Sequence, residues 1–468
     1  MLAGSLLLAA ALLTQAPQAA DDAATPIARY HLRLAEVVVT RGDVALEMAF
    51  HLRRKDDGRA ACAQLAKTEL VRRAAAAKGA WPEPATVRAR LDELRQQLRA
   101  AGRDPDREPI FRNCSEAALL DYLAIDVAHE RIVRKELGLR DDEQVSPAML
   151  ELWVKEARQR ATIVDDPDQL PAGTAVRVDG RDVPLLDLGM LLLRSSDRDE
   201  QAKFVRQVVV LQSLEAMARE RNLTVSADEL QNELSLRRAQ ARSDPRFRGL
   251  TFEQLLNAQG ITVEWLLQSR VFRAQVLQKK LVALQHPRQQ LLAELAADRP
   301  GALERYGPRR HLAVVFARAL DEPNQLVPRD FAAAQKHLEQ CRQRLEHETF
   351  DNVARIESDD PGSKLRGGDC GWLQRRAREL PEPVLAAAWS LDPGAVSEPV
   401  RAADGCYLVK VLEIEPDLSD DALVDRMREQ KIEALTTELL RTAAIVHADG
   451  TPLSGDATPS NAGGDAGR

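Results

Sequence analysis

Aromatic residues are scarce in this sequence: 9 Phe, 5 Trp and 4 Tyr among 468 residues. Its cores must therefore be filled mainly by Leu, Val and Ala, a composition that suits helices. Cysteine is also sparse, with Cys62, Cys114, Cys341, Cys370 and Cys406 as the full set. None forms a C-x-x-C pair, there is no H-E-x-x-H, and no paired metal-ligand spacing is recognised, so no metal and no cofactor are expected. Cys62 and Cys114 could pair in an oxidising compartment; five buried free thiols is the alternative. A basic excess is missing too: 65 Lys+Arg face 72 Asp+Glu, for a net charge of −7. That argues against nucleic acid as a partner. Beyond the N-terminus there is no long apolar run, which excludes a polytopic membrane protein. What remains is an ordinary folded composition, 29% charged and 44% hydrophobic. At this length about three domains are expected.

Met1 to Ala20 carries no charged side chain, and Leu6 to Leu13 is continuous Leu and Ala. The run is too short to span a bilayer and is followed by Ala16, Ala19, Ala20 and then Asp21 and Asp22. This pattern predicts a secretory signal peptide over 1–20 and a mature chain starting near Asp21. The expected location is outside the cytoplasm, in a bacterial periplasm or cell envelope. No cysteine lies near the cleavage point to carry a lipid.

The next feature is an internal repeat. VVTRGDVALEMAFHLR (Val38 to Arg53) and VRVDGRDVPLLDLGMLLLR (Val176 to Arg194) both read as a β-branched run, a Gly-Asp or Gly-Arg-Asp turn and an apolar helix. Long helices follow in both copies, over 63–80 and 200–221, and both restart at 86–98 and 226–238. The offset grows from 139 residues between Asp43 and Asp182 to 143 between Leu91 and Leu234, a drift that loop insertions explain. Ser226 to Glu229 and Thr251 to Gln254 are capping boxes, and Thr262 can cap the helix containing Trp265. His129, His337 and His347 fall on predicted helices as solvated or satisfied side chains, and the basic face from His129 to Lys135 reads as solvated. The stretch 174–284 resembles the N-terminal chaperone module of SurA-type periplasmic folding factors. Three motifs carry the likeness: Val178-Asp-Gly-Arg-Asp-Val183, Asn222-Leu-Thr-Val-Ser-Ala-Asp-Glu-Leu230 and Phe252-Glu-Gln-Leu-Leu-Asn-Ala-Gln-Gly-Ile-Thr262. The resemblance implies a groove between helices that holds extended apolar segments of clients.

From about Pro308 the pattern changes. A buried strand is predicted at His311 to Ala317, a helix at 330–345, a turn-rich loop from Ser358 to Leu373, a helix at 381–391, and strands at 397–401 and 406–412. The Gly-Gly-Asp loop lacks a Lys-Ser/Thr pair, so it is not read as a phosphate cradle. The strand histidine, the S-D-x-x-x-S-x-x-x-GGD-x-GW-like loop and Ala388-Trp-Ser-Leu-Asp-Pro-Gly-Ala-Val-Ser-Glu-Pro-Val400 resemble the parvulin family of peptidyl-prolyl isomerases.

The parvulin resemblance implies catalytic positions at His311, Asp360 and Tyr407, the last replacing the family's second histidine. His311 and Tyr407 should face each other from adjacent central strands, beneath the loop bearing Asp360. It also implies substrate contacts at Cys370 (usually Leu), Leu380, Val384 (usually Phe) and Ala402 (usually Thr). Restoring Phe at 384 is expected to rebuild a wall for the proline ring. The fold class expected is α+β and multidomain: two mainly α-helical chaperone-like modules, then a small parvulin-type α/β domain with a four-stranded antiparallel sheet and flanking helices. The boundaries expected are 27–165 and 168–305 for the modules, 306–416 for the parvulin domain, 417–447 for a terminal helix and 448–468 for a disordered tail. The function expected is that of an exported folding factor with prolyl isomerase activity; the alternative is a holdase whose parvulin domain only binds peptide. Its partners are unfolded or extended polypeptides with X-Pro bonds, and any membrane proximity comes through clients alone.

Overall fold

The computed structural model describes residues 22–140, 143–243, 247 and 249–453. The leader expected over 1–20 and the tail beyond Leu453 lie outside the described residues. Contacts divide the chain into two units, Met1–Leu281 with Leu435–Arg468, and Val282–Ala434. Among the described residues no helix is long and apolar enough to cross a membrane.

The first unit opens with an antiparallel hairpin, β1 (Pro26–Leu32) and β2 (Ala35–Thr40). Thr40 then caps α1 (Arg41–Leu52): its hydroxyl accepts from the Asp43 amide at 3.2 Å, and the Asp43 carboxylate accepts from the Thr40 amide at 3.0 Å. The expected Gly-Asp turn at 42–43 is therefore the first turn of a helix, because a capping box satisfies the free amides there. Next come α2 (Asp56–Lys78), α3 (Pro84–Ala100), α4 (Glu116–Leu137) and α5 (Pro147–Arg160). The expected solvated face of α4 is only partly so. His129, Ile132 and Val133 are buried, while Arg131 and Arg134 are half-buried and Lys135 is exposed.

The second copy differs at its turn. β3 (Ile163–Val164), β4 (Thr174–Val178) and β5 (Arg181–Pro184) form a small antiparallel sheet. Asp179 and Gly180 between β4 and β5 have φ of 46° and 82°, the left-handed pair that a two-residue hairpin needs. α6 (Leu185–Ser195) follows and crosses α1 closely; a Cβ at Gly189 would sit 1.9 Å from the Ala45 carbonyl oxygen. Val44, Ala45, Met48 and Ala49 of α1 share one core with Leu185, Leu188 and Leu192 of α6 and with Val205, Val208 and Val209 of α7 (Arg198–Glu220). The first helices of the two copies thus pack on each other within one unit. α8 (Ala227–Ser243), α9 (Phe252–Ala258), α10 (Val263–Gln268) and α11 (Arg270–Gln285) complete the helices. Ser226 with Glu229 and Thr251 with Gln254 make the predicted capping boxes, and Thr262 caps α10.

In the second unit, α12 (Arg288–Ala297) and α13 (Arg299–Tyr306) precede a four-stranded antiparallel sheet of order β7-β6-β9-β8. Its elements run β6 (Arg310–Arg318), α14 (Phe331–Arg344), α15 (Phe350–Glu357), β7 (Asp369–Leu373), α16 (Glu382–Trp389), β8 (Val400–Ala402) and β9 (Gly405–Ile414). Alternation along β6 and β9 divides the apolar side chains between two faces. Ala313, Val315, Ala317, Cys406 and Leu408 meet α14 and α15; Leu312, Val314, Phe316, Tyr407, Val409 and Val411 meet α16. The start of α17 (Asp420–Thr442) packs Leu423, Val424 and Met427 on α12 and α13.

The end of α17 and the residues after it belong to the first unit, where Leu435 and Leu439 join Leu211 and Leu214. β10 (Val446–His447) pairs antiparallel with β1. The expected tail from 448 is ordered at its start: Gly450 (φ 82°) turns the chain so that Pro452 bridges to Val446 and the Leu453 amide donates to the Ile445 carbonyl. All five cysteines are free thiols.

Candidate active site

The loop after α15 is sewn to β6 at several residues, beginning with Phe316. The Ser358 hydroxyl, fully buried, accepts from the Phe316 amide at 3.1 Å, and the Asp359 amide donates to the Phe316 carbonyl at 2.7 Å. Asp360 shapes the next turn: its carboxylate accepts from the amides of Ser363 (2.9 Å) and Gly362 (3.3 Å) and from the Ser363 hydroxyl. Gly367 and Gly368 follow with φ of 69° and 83°. The Val314 amide donates to the Gly368 carbonyl at 2.8 Å, and a Cβ at Gly368 would meet the Val314 oxygen at 2.3 Å. The glycine pair therefore serves a left-handed turn and a close backbone approach.

Beneath this loop lies the α16 face of the sheet. Tyr407, Leu380, Val384 and Ala402 are buried in one cluster, with Cys370 packed against it. Phe316 stands directly across from Tyr407 on β6, and their rings stack with centroids 4.5 Å apart. The Tyr407 hydroxyl donates to Asp404 Oδ2 at 2.7 Å. Burial, the bond to Asp404 and the nearby charges of Asp404 and Asp360 all push the phenol pKa well above its ordinary value. Burial, then the Asp360 charge, pushes the Cys370 thiol up to about 12. Both groups are neutral at physiological pH, and the site is apolar with a few fixed dipoles.

His311 does not join them. It lies opposite Glu413 on β9 and Trp372 on β7, five residues along β6 from Phe316. At about 3.3 Å per residue that is roughly 16 Å. Its Nε2 is 2.7 Å from Asp369 Oδ1, which also accepts from the Gly371 amide, and its ring stacks on Trp372. The expected pairing of His311 with Tyr407 is thus replaced by Phe316 with Tyr407, because register, not residue type, decides what faces what. Phe316, Ser363 and Asp404 were not anticipated. Phe316 was open to discovery: it continues the alternation Leu312, Val314, Phe316 onto the face that Tyr407 shares.

A small antiparallel sheet with two helices on one face, and an apolar cluster under a glycine-bearing loop on the other, defines a prolyl isomerase domain of the parvulin class. Residues 320–413 match the family described as Rotamase, PPIC-type PPIASE domain. The chain therefore carries such a domain, and the matched residues take in Asp360, Cys370, Leu380, Val384, Ala402 and Tyr407 but not His311. The chain is similar to the chaperone SurA of Methylococcus capsulatus, at 34% identity over 24% of this chain and 24% of that protein. It is similar to SurA of Nitrosococcus oceani at 40% identity over 17% of this chain and 18% of the other. The foldase protein PrsA of Geobacillus kaustophilus is 35% identical over 17% of this chain and 28% of that one. The chain spans about a quarter or less of the length of the first two, SurA, relatives.

Proposed function

We propose that this chain is an exported folding factor that catalyses prolyl cis–trans isomerisation in unfolded client polypeptides. The observation that carries the reading is the PPIC-type domain over 320–413, with its apolar cluster around Tyr407. Rotation about a peptide bond meets a barrier of about 18–20 kcal/mol, because the nitrogen lone pair is delocalised into the carbonyl. An X-Pro bond therefore turns over in tens to hundreds of seconds unaided. Lowering that barrier takes an apolar surface for the ring and dipoles that favour the twisted amide over both planar forms. In this proposal Leu380, Ala402 and Cys370 supply the apolar contacts with the fully buried Val384 packed behind them, Tyr407 the hydrogen-bonding group, and Asp360 the shape of the covering loop. The helical first unit holds extended clients, a division supported by the resemblance of 174–284 to the chaperone module of SurA-type folding factors. Export is supported by the uncharged Ala/Leu leader; N-terminal mass analysis should find the mature chain starting near Asp21, and an intact Met1 on cytoplasmic protein would end that part of the proposal.

The test is exchange NMR on an X-Pro peptide with the full-length protein. Catalysed exchange is expected. Asp360→Ala should lower it and Tyr407→His should raise it or leave it unchanged, each by no more than about 1–2 kcal/mol in barrier. Suppression of aggregation of an unfolded protein should stay at the wild-type level in both variants. A second reading, a holdase whose parvulin domain only binds peptide, is favoured by one observation. The Tyr407 hydroxyl is already engaged by Asp404, and the residue opposite it is Phe316. Undetectable exchange with intact aggregation suppression would select it.

A further inference from the structure

The other face of the second unit's sheet carries a group of side chains that prolyl isomerisation does not use. His337 and Cys341 lie four residues apart on α14, so one helical turn sets them on the same side. Glu357 ends α15 beside them. His337 Nε2 is 3.8 Å from Cys341 Sγ and 3.6 Å from Glu357 Oε2, and the three donor atoms all lie within 4.8 Å of one another. A tetrahedral zinc ion, with Zn–S about 2.3 Å and Zn–N or Zn–O about 2.0–2.1 Å, holds neighbouring ligand atoms roughly 3.4–3.6 Å apart. The imidazole is already near that spacing from both partners.

We propose that His337 Nε2, Cys341 Sγ and Glu357 Oε2 form a binding site for a zinc-class divalent cation, with water in the fourth position. The ligand set decides the class: a thiolate with an imidazole favours zinc or cobalt over the oxygen-seeking magnesium and calcium. Arg344 supplies an outer partner. Its guanidinium holds Glu357 Oε1 at 2.5 Å and Glu348 at 2.8 Å, leaving Oε2 turned to His337. Such an outer contact fixes the orientation of a metal-binding carboxylate. Cys341 is 1% exposed, whereas the side chains of His337 and Glu357 are 21% and 25% exposed, so a hydrated ion can reach the site from their side. Burial first, and the Glu357 charge second, raise the Cys341 thiol to about 11. In the binding step the metal–sulfur bond forms as the S–H bond breaks, and the proton leaves to solvent. Affinity must therefore rise with pH, by about tenfold per unit for one released proton. The H-x-x-x-C spacing can be seen in the sequence, but the third ligand sits sixteen residues further on, on a different helix.

The experiment uses the full-length protein, stripped with a chelator and kept reduced, titrated with Co²⁺ and then Zn²⁺ at pH 7 and pH 8. One Co²⁺ per chain is expected, with a thiolate-to-cobalt charge-transfer band that Zn²⁺ bleaches and that saturates about tenfold earlier at the higher pH. Cys341→Ser should abolish the band. His337→Gln and Glu357→Gln, at partly exposed positions, should each weaken Zn²⁺ binding at least tenfold, and Arg344→Ala by about 10–100-fold. Wild type without the band, a band that survives Cys341→Ser, or His337→Gln and Glu357→Gln that bind as wild type would each overturn the assignment. If Cys341→Ser fails to fold, the His337 and Glu357 variants decide alone.

Discussion

A buried imidazole with no anion beside it resists protonation, and His129 is in that position. It is 2% exposed, its ring lies 4.9 Å from that of Trp153, and burial, then the Lys67 charge, pulls its pKa down to about 4. In the unfolded chain it titrates near 6.5. Between those values the unfolded chain holds a proton that the folded one does not, so stability is lost as pH falls from about 6.5 to 4. Between pH 7.5 and 5.0 the loss is about 2 kcal/mol. Glu47, Glu69, Asp126 and Asp187 in the same unit act in the opposite sense, because burial raises their pKa values and their folded forms take up protons first. The expected outcome is therefore a difference: in urea unfolding, His129→Leu should lose about 2 kcal/mol less than wild type over that range. Equal losses would mean that His129 is not the acid-sensitive group. Two further single residues separate site from scaffold. His311→Ala should leave prolyl exchange unchanged, since roughly 16 Å of strand lies between it and Phe316, the residue opposite Tyr407. Losing the Asp369 bond should lower stability by about 1 kcal/mol; a fall in exchange at unchanged stability would return His311 to the site. Val384 has no exposed surface, so Val384→Phe overfills a closed core instead of building a wall. A loss of about 1–3 kcal/mol in thermal unfolding is expected, with no gain in exchange.

Elements show where local chemistry suffices and where it does not. The capping boxes at Ser226 and Thr251 were legible because each involves residues three apart in the chain. The cap at Ser146, accepting from the Met149 amide at 3.3 Å, and that at Thr349, accepting from Asn352, start α5 and α15 by the same chemistry. Neither helix was anticipated, although the signal was present. β6 is different. Its apolar run fits β9 in several registers, and choosing one by the conspicuous His311 put the wrong residue opposite Tyr407. The observed register follows from pairings spread over both strands, with a shift between His311 and Leu312. Contact between α1 and α6 was equally unreadable, because it joins residues 144 apart, Ala45 and Gly189. It yields a strong prediction. Gly189→Ala would drive a methyl group into the Ala45 carbonyl oxygen, with backbone on both sides and nothing flexible to give. A loss of about 3 kcal/mol or more is expected in urea unfolding of the full-length protein. A loss near zero would show that the two helices can separate without cost.

At the scale of the whole chain, the first unit is built from both ends of the sequence. Residues 22–281 supply most of its helices and five of its strands; the end of α17 packs in from residue 435 onward, and β10 adds the edge of the β1–β2 sheet from residues 446–447. This has a consequence for how the protein is born. At roughly 5–20 residues per second, the ribosome needs about 8–30 s to pass from Leu281 to Leu435. Throughout that interval β1 has been made but its second neighbour has not, and the apolar places awaiting Leu435 and Leu439 stand empty. A chain truncated after Ala434 should reproduce this half-finished state: more readily digested in pulse proteolysis and more prone to aggregate than the full chain, with a peptide of residues 435–453 restoring protection when added in trans. Equal protease resistance of the two chains would mean that the early part folds to completion alone. Otherwise the chain passes its own synthesis with an open sheet edge, a row of unpaired amides and carbonyls that invites pairing with another chain.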